Sequence, residues 1–257
     1  MPININIPKQ WNDLNPRQLK KIARLFNSSQ APKFIDILLF FALLDIRFWQ
    51  LHKYYKAFVV IKNVGISDLK TTYNWLYEHN NLTKFIPSIK TKNKVLLAPA
   101  SRIINLTIDE FAHTEDLFIG FNNTKDFEYL TYLAAVLYRE VSEKGKRVVF
   151  DKNELDERAT DLKSVNKTTL LAIALSYQGC RNYLYPKFPR VFPKQEGNVQ
   201  NEKAPKSSNL GKLILSVSGK KFGTYNETKS TNLYIFLSEF EEELKTAKTR
   251  SKQKRHA

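Results

Sequence analysis

The sequence predicts a mainly α fold: a multi-helix globular domain with a few short strands and a small C-terminal helical appendage. Three observations carry this prediction. Only eight glycines and ten prolines stand among 257 residues, too few for the turn that repeating β-architectures need about every 8–12 residues. Apolar residues recur at helical spacing through several long stretches. Helix-start signals, Asn15-Pro16 and Thr107-Ile-Asp-Glu110 among them, precede such stretches. Hydrophobic residues at 42% and aromatics at 12% supply enough apolar surface to offset the entropy of folding, so an ordered chain is expected. Its length suits one core plus appendages.

Taken in order, Ile3, Ile5 and Ile7 alternate with polar residues and proline, and residues 1–15 read as an extended N-terminal arm. A core domain is expected over residues 16–193. Asn15 caps a helix with Pro16 at its first position, and Leu19, Ile22, Ala23 and Phe26 recur on one face with Arg17, Lys20, Lys21 and Arg24 on the other. The most apolar stretch, Phe34 to Trp49, contains eight unbroken apolar residues from Ile37 to Leu44. It is too short and too acid-flanked to span a bilayer, which takes about 20 apolar residues, and apolar side chains at nearly every angle mark a central helix enclosed by others. The aromatics that follow, Trp49, Tyr54, Tyr55 and Phe58, mix with His52, Lys53 and Lys56, a combination able to stack bases and neutralise phosphates; at this spacing the reading is core.

Ser67 is expected to cap a helix running to about His79 through Leu69, Tyr73 and Leu76. Residues 80–106 read as a loop and one short strand, with Lys90, Lys92 and Lys94 before Val95-Leu96-Leu97. Thr107 and Glu110 form a capping box for a helix through Ile119, which Gly120 ends. A second core helix is expected from Thr124 to Glu143 on the stripe Phe127, Leu130, Leu133, Ala134, Leu137 and Val141, then a short strand at Arg147–Phe150 and a solvated connector over 151–167. A third core helix spans Thr168 to Leu184, and the three prolines from Tyr185 to Pro193 take the chain out of it. Residues 194–209 read as a flexible linker, 210–247 as a C-terminal helical segment and 248–257 as a basic tail.

The net charge of +16 is unevenly placed: +8 over residues 1–125, zero over 126–184, +2 over 185–244 and +6 over the last 13 residues. Attraction to polyanions follows from this, and Lys245, Lys248, Arg250, Lys252, Lys254 and Arg255 are the candidate polyanion-binding residues. That segment lacks apolar periodicity after Leu244 and is expected to fray into solvent. The lone Cys180 excludes an intrachain disulfide, and the start MPININIPKQW has the pattern of no secretory signal, so a cytoplasmic location is expected. His113 has no histidine one turn away, so no metal site is expected with Glu115 and Asp116. Ser67-Asp68-Leu69-Lys70 lacks the partners of a serine–lysine dyad, and Gln178-Gly179-Cys180-Arg181 is only superficially like a cysteine-protease signature. No catalytic residue, cofactor or metal is expected.

The segments IPKQWNDLNPRQL, YLAAVLYRE, YQGCRNYL, FPRVF and KKFGTYNETKSTNLYIFL resemble uncharacterised proteins of Bacteroidota-type phages and integrated elements, over most of the chain. The resemblance implies a tail- or virion-assembly module and a noncatalytic role similar to a tail-assembly chaperone or adaptor, in the host cytoplasm or virion. Its partners would be other structural or assembly proteins or a second copy, with no membrane. The alternative is a nonspecific nucleic-acid-binding accessory protein using its basic surface and tail.

Overall fold

A computed structural model describes residues 7–29, 31–47, 49–143, 145–193 and 207–253. The described residues include eleven α-helices, five short 3-10 helices and one two-stranded sheet, so the protein is mainly α. Asn15 caps α1 (Pro16–Phe26) in a capping box with Gln18, whose side-chain amide Nε2–H donates to the Leu43 carbonyl at the end of α2 (Pro32–Leu44). The cap side chain thereby fixes two helices at once. Asp45 stops α2 in the left-handed region with φ 45°, its carboxylate facing Lys21 and accepting from the Asn15 amide. A separate helix, α3 (Leu51–Val64), follows, and Gly65 turns the chain into α4 (Ile66–Lys70).

The helix expected from Ser67 to about His79 stops after Lys70. The Thr71 and Thr72 hydroxyls donate to the carbonyls of Asp68 and Leu69, local bonds that compete with helix propagation. The inward positions are nevertheless those expected, since Leu69, Tyr73 and Leu76 are buried. Where one strand was expected there are two, β1 (Ser88–Lys90) and β2 (Val95–Leu97), paired as an antiparallel hairpin.

The centre of the molecule is built from α5 (Ile108–Thr124), α6 (Phe127–Leu137), α7 (Leu155–Leu162) and α8 (Lys167–Leu184). The Thr107 and Glu110 capping box opens α5 as expected, but Gly120 does not end it. A Cβ at that position would meet the Tyr129 ring of α6, so the glycine serves close helix approach. Helix α6 ends six residues before the expected Glu143, because Arg139 exchanges two backbone hydrogen bonds with Leu97 and extends the hairpin by a bridge. Val141 is consequently outside the helix and exposed. Arg147 makes an isolated bridge to Val141 in place of a strand. The connector at 151–167 is half core: α7 buries Leu155, Arg158, Ala159 and Leu162.

Helix α8 is capped by Asn166 and packs against α1 and α6. A Cβ on Gly179 would clash with the Leu82 carbonyl oxygen and the Asn80 side chain, while Asn80 donates to the Leu175 carbonyl and Asn182 to the Asn80 carbonyl. The loop before the hairpin is therefore laid directly on the α8 backbone. The C-terminal segment, α9 (Leu210–Val217), α10 (Tyr225–Ser230) and α11 (Leu233–Gln253), is seated on α5. Leu233, Phe236 and Leu237 belong to the common core, and the Glu241 carboxylate accepts from the backbone amides of Arg190 and Val191. Residues 1–6 of the expected arm and 194–206 of the expected linker lie outside the described residues; of the rest of the arm, Trp11–Asp13 form a short 3-10 turn that buries Trp11 in the core instead of an extended segment, and at the linker's end Ser208 is anchored on Asp116 of α5.

Candidate interaction surface

Helix α2 is apolar on two opposite sides. Leu39, Phe40, Ala42 and Leu43 are buried against the rest of the chain, whereas Phe34 is 66% exposed and Leu38 38% exposed. Phe34, Ile37, Leu38 and Ala31 line an open apolar hollow of about 400 Å³. The expectation of a central, enclosed helix is thus corrected: one side of α2 is covered and the other faces solvent. The centre is α8.

The second correction concerns the aromatics after α2. Leu51, Tyr55 and Phe58, at i, i+4 and i+7 on α3, are 72%, 71% and 61% exposed, and Trp49 just before them is exposed too. Ala57 is buried and Val60 and Ile61 pack on the core from the opposite side of the helix. Tyr54 joins the two exposed faces, its ring 6.1 Å from Phe41 of α2 and its hydroxyl donating to the Ile46 carbonyl. One ring contact, Phe41 to Tyr54, therefore connects the exposed side of α2, with Phe34 and Leu38, to that of α3, with Leu51, Tyr55 and Phe58. Exposed apolar faces of this kind mark interaction sites.

The charged residues along α3 have one sign. From Ile46 to Ser67 the chain carries Arg47, Lys53, Lys56 and Lys62, with His52, and no acid. The Arg47 guanidinium lies 5.1 Å from the Trp49 ring centroid. The nearest acids are engaged elsewhere: Asp36 by Lys70 and the Tyr77 hydroxyl, Asp45 by Lys21 and Arg17.

Elsewhere several buried or half-buried carboxylates are paired within the chain. The Glu115 carboxylate, 1% exposed, accepts from the Tyr177 hydroxyl, the Tyr185 hydroxyl and Arg181 Nε; burial and this carboxylate push both phenols above their usual range. Glu110 pairs with Arg139 and Arg147, and burial brings the Arg147 guanidinium down to about 10. Lys94 sits among Glu140, Glu157 and Asp161, beside buried Arg158, which binds Glu140 and Glu154. These groups border a hollow of about 270 Å³, but each charge there already has an opposite charge within the chain.

Cys180 is fully buried, its thiol pushed up to about 12 by burial, so the thiolate that nucleophilic chemistry requires is disfavoured. His113 is 3.7 Å from Asp109, whereas Asp116 turns to Ser208 and Glu115 to α8. Among the described residues no group of three or more His, Cys, Asp or Glu is placed to hold a metal ion, and no helix is long and apolar enough to cross a membrane.

No protein-family model, curated protein or solved structure matches this chain.

The candidate polyanion-binding residues lie on α11 or beyond it. The fraying expected after Leu244 does not occur, because α11 continues to Gln253. Lys245 pairs with Glu242, and the Thr246 and Thr249 hydroxyls donate to carbonyls one turn back; cations in a last helical turn also suit the macrodipole. Lys245 and Lys248 are exposed on this helix, and Arg250 and Lys252 belong to it. Lys254 and Arg255 lie outside the described residues. Residue types alone hid the α2–α3 face, since Phe, Leu and Tyr at helical spacing read as core. The acid-free run from Ile46 to Ser67 was the signal in the sequence that could have marked it.

Proposed function

We propose that this protein is a noncatalytic structural or assembly protein of the phage-like class, similar to a tail-assembly chaperone or adaptor, working through protein–protein contacts in the host cytoplasm or virion. The observation that carries the reading is the α2–α3 face, with Phe34, Leu51, Tyr55 and Phe58 all more than half exposed. Leaving such side chains in water forgoes about 25 cal/mol for each Å² of apolar surface that a partner would cover, and aromatic side chains are enriched in the anchors of protein interfaces. The buried carboxylates of Glu110 and Glu115 fit the same reading, because they are spent on pairing with Arg139, Arg147 and Arg181. The test is co-expression with the products of the neighbouring genes. A complex isolated by size exclusion should be lost with Tyr55→Asp and Phe58→Asp while the circular dichroism of the free protein is unchanged; complexes that survive both substitutions would sink the proposal.

A second reading, a nonspecific nucleic-acid-binding accessory protein, draws on Lys53, Lys56 and Lys62 and on Lys245 and Lys248, exposed on their helices. Phosphate contacts make log affinity fall linearly with log salt. Removal of residues 245–257 should then weaken DNA and RNA binding without regard to sequence and flatten the salt slope; equal slopes for both forms would eliminate the tail.

A further inference from the structure

We propose that Arg102, Tyr183 and Lys187 form a phosphate-binding site where the loop before α5 meets the end of α8. The site shares no residue with the α2–α3 face, so it goes beyond the protein-contact reading and does not rest on it. The Arg102 guanidinium lies 4.8 Å and the Lys187 ammonium 4.2 Å from the centroid of the Tyr183 ring. Lys187 Nζ also donates to the Tyr183 hydroxyl over 2.7 Å. The phenolic proton is left with no acceptor among the described residues, and Arg102 and Lys187 are both exposed there. Two cations and one hydroxyl donor thus meet at a single ring. The hydrogen bond from Lys187, with the charge of Arg102, holds the phenol below its usual range.

Acids are missing here both in sequence and in space. Residues 79–108 and 162–195 contain no Asp or Glu, and the fold lays these two runs together: the Arg102 amide donates to the Thr83 carbonyl, and the Asn182 side chain to the Asn80 carbonyl. Helix α11 reaches the same place through the Tyr234 hydroxyl, which donates to the Arg102 carbonyl, but its Glu241 is taken by Arg190. Neither Arg102 nor Lys187 has a carboxylate partner among the described residues. The backbone holds the arrangement. Arg102 and Ile103 are consecutive residues in the left-handed region, with φ 59° and 54°, a costly conformation for a β-branched residue. It is kept by the fully buried Ile103 side chain and the Arg102–Thr83 bond, and strain kept in this way fixes a side chain in position.

Three donors without an acceptor define the ligand. A phosphate brings more than one negative charge and three strong acceptor oxygens, enough for the guanidinium, the ammonium and the phenol together, whereas a carboxylate brings one charge and two oxygens. A free phosphate ester and the backbone of a nucleic-acid strand present the same group.

The probes are inorganic phosphate, acetate and a short oligothymidylate, titrated into the full chain at constant ionic strength and read by calorimetry. Arg102→Gln and Lys187→Gln should each weaken phosphate binding about tenfold, the worth of one charge-assisted hydrogen bond. Tyr183→Phe should weaken it less, and circular dichroism should show all three variants folded. Lys212→Gln, the same loss of charge at an exposed position of α9, should change nothing. Loss of phosphate binding in both cation variants with oligothymidylate binding intact identifies a free phosphate ester as the ligand; loss of oligothymidylate binding in both identifies a strand. Binding of neither phosphate nor oligothymidylate, an equal loss in Lys212→Gln, or displacement of phosphate by equimolar acetate would overturn the inference.

Discussion

Helix α8 is buried around nearly its whole circumference, whereas α2, the more apolar of the two, is not. Around α8, the partners α1 and α6, the loop at Leu82 and the Glu115 network close every side that needs closing. Around α2, the chain covers Leu39, Phe40, Ala42 and Leu43 and leaves Phe34 and Leu38 in water. The difference teaches that an all-round apolar helix announces a need for cover but does not say whether the cover comes from its own chain or from another. In α8 the need is met by residues far away in sequence; in α2 and α3 it is met only in part.

If that contrast is right, the largest loss of stability should come from the α8 side. Glu115→Ala would leave Arg181, Tyr177 and Tyr185 without their carboxylate, and breaking a buried pair of this kind costs on the order of 3–5 kcal/mol. Urea denaturation would measure it, and a loss below 1 kcal/mol would show the α8 network to be no tighter than the α2–α3 face. Gly179→Ala comes next, because its Cβ would drive into the Leu82 carbonyl; about 2 kcal/mol of destabilisation is expected for such overpacking. An unchanged denaturation midpoint would mean that the 80–83 loop yields readily and is not part of the enclosure.

A smaller effect should follow pH. Burial holds the His113 pKa below 6.5 against the opposing pull of Asp109, with Lys152 and Lys229 also favouring the neutral ring. Because the folded state resists protonation that the unfolded state accepts, stability should be undiminished above pH 6.5 and should fall as pH drops below it. In His113→Gln the fall between about pH 6.5 and 5 should be shallower; an identical pH profile would remove His113 from the account. The smallest effect belongs to the exposed face. Phe58→Ser should change stability by no more than about 0.5 kcal/mol, measured in the same denaturation series, and a loss comparable to that of Gly179→Ala would mean that α3 is core after all.

The sequence alone determined the helical class, the caps at Asn15 and Thr107 and the inward positions of α1 and most of those of α6, because these depend on residues within one or two turns of each other. Local signals also placed the break after Leu184. Tertiary structure decided what local signals could not. Pairing of Arg139 with Leu97 cut α6 short, contact with Tyr129 turned Gly120 from a helix end into a close approach, and the reach of the chain left α2 and α3 half covered. The physical reason is common to all three: hydrophobic burial is non-directional and follows area, so a phenylalanine carries the same preference for cover in α2 as in α8. Only the positions of distant segments determine whether the chain itself satisfies that preference or leaves it to a partner.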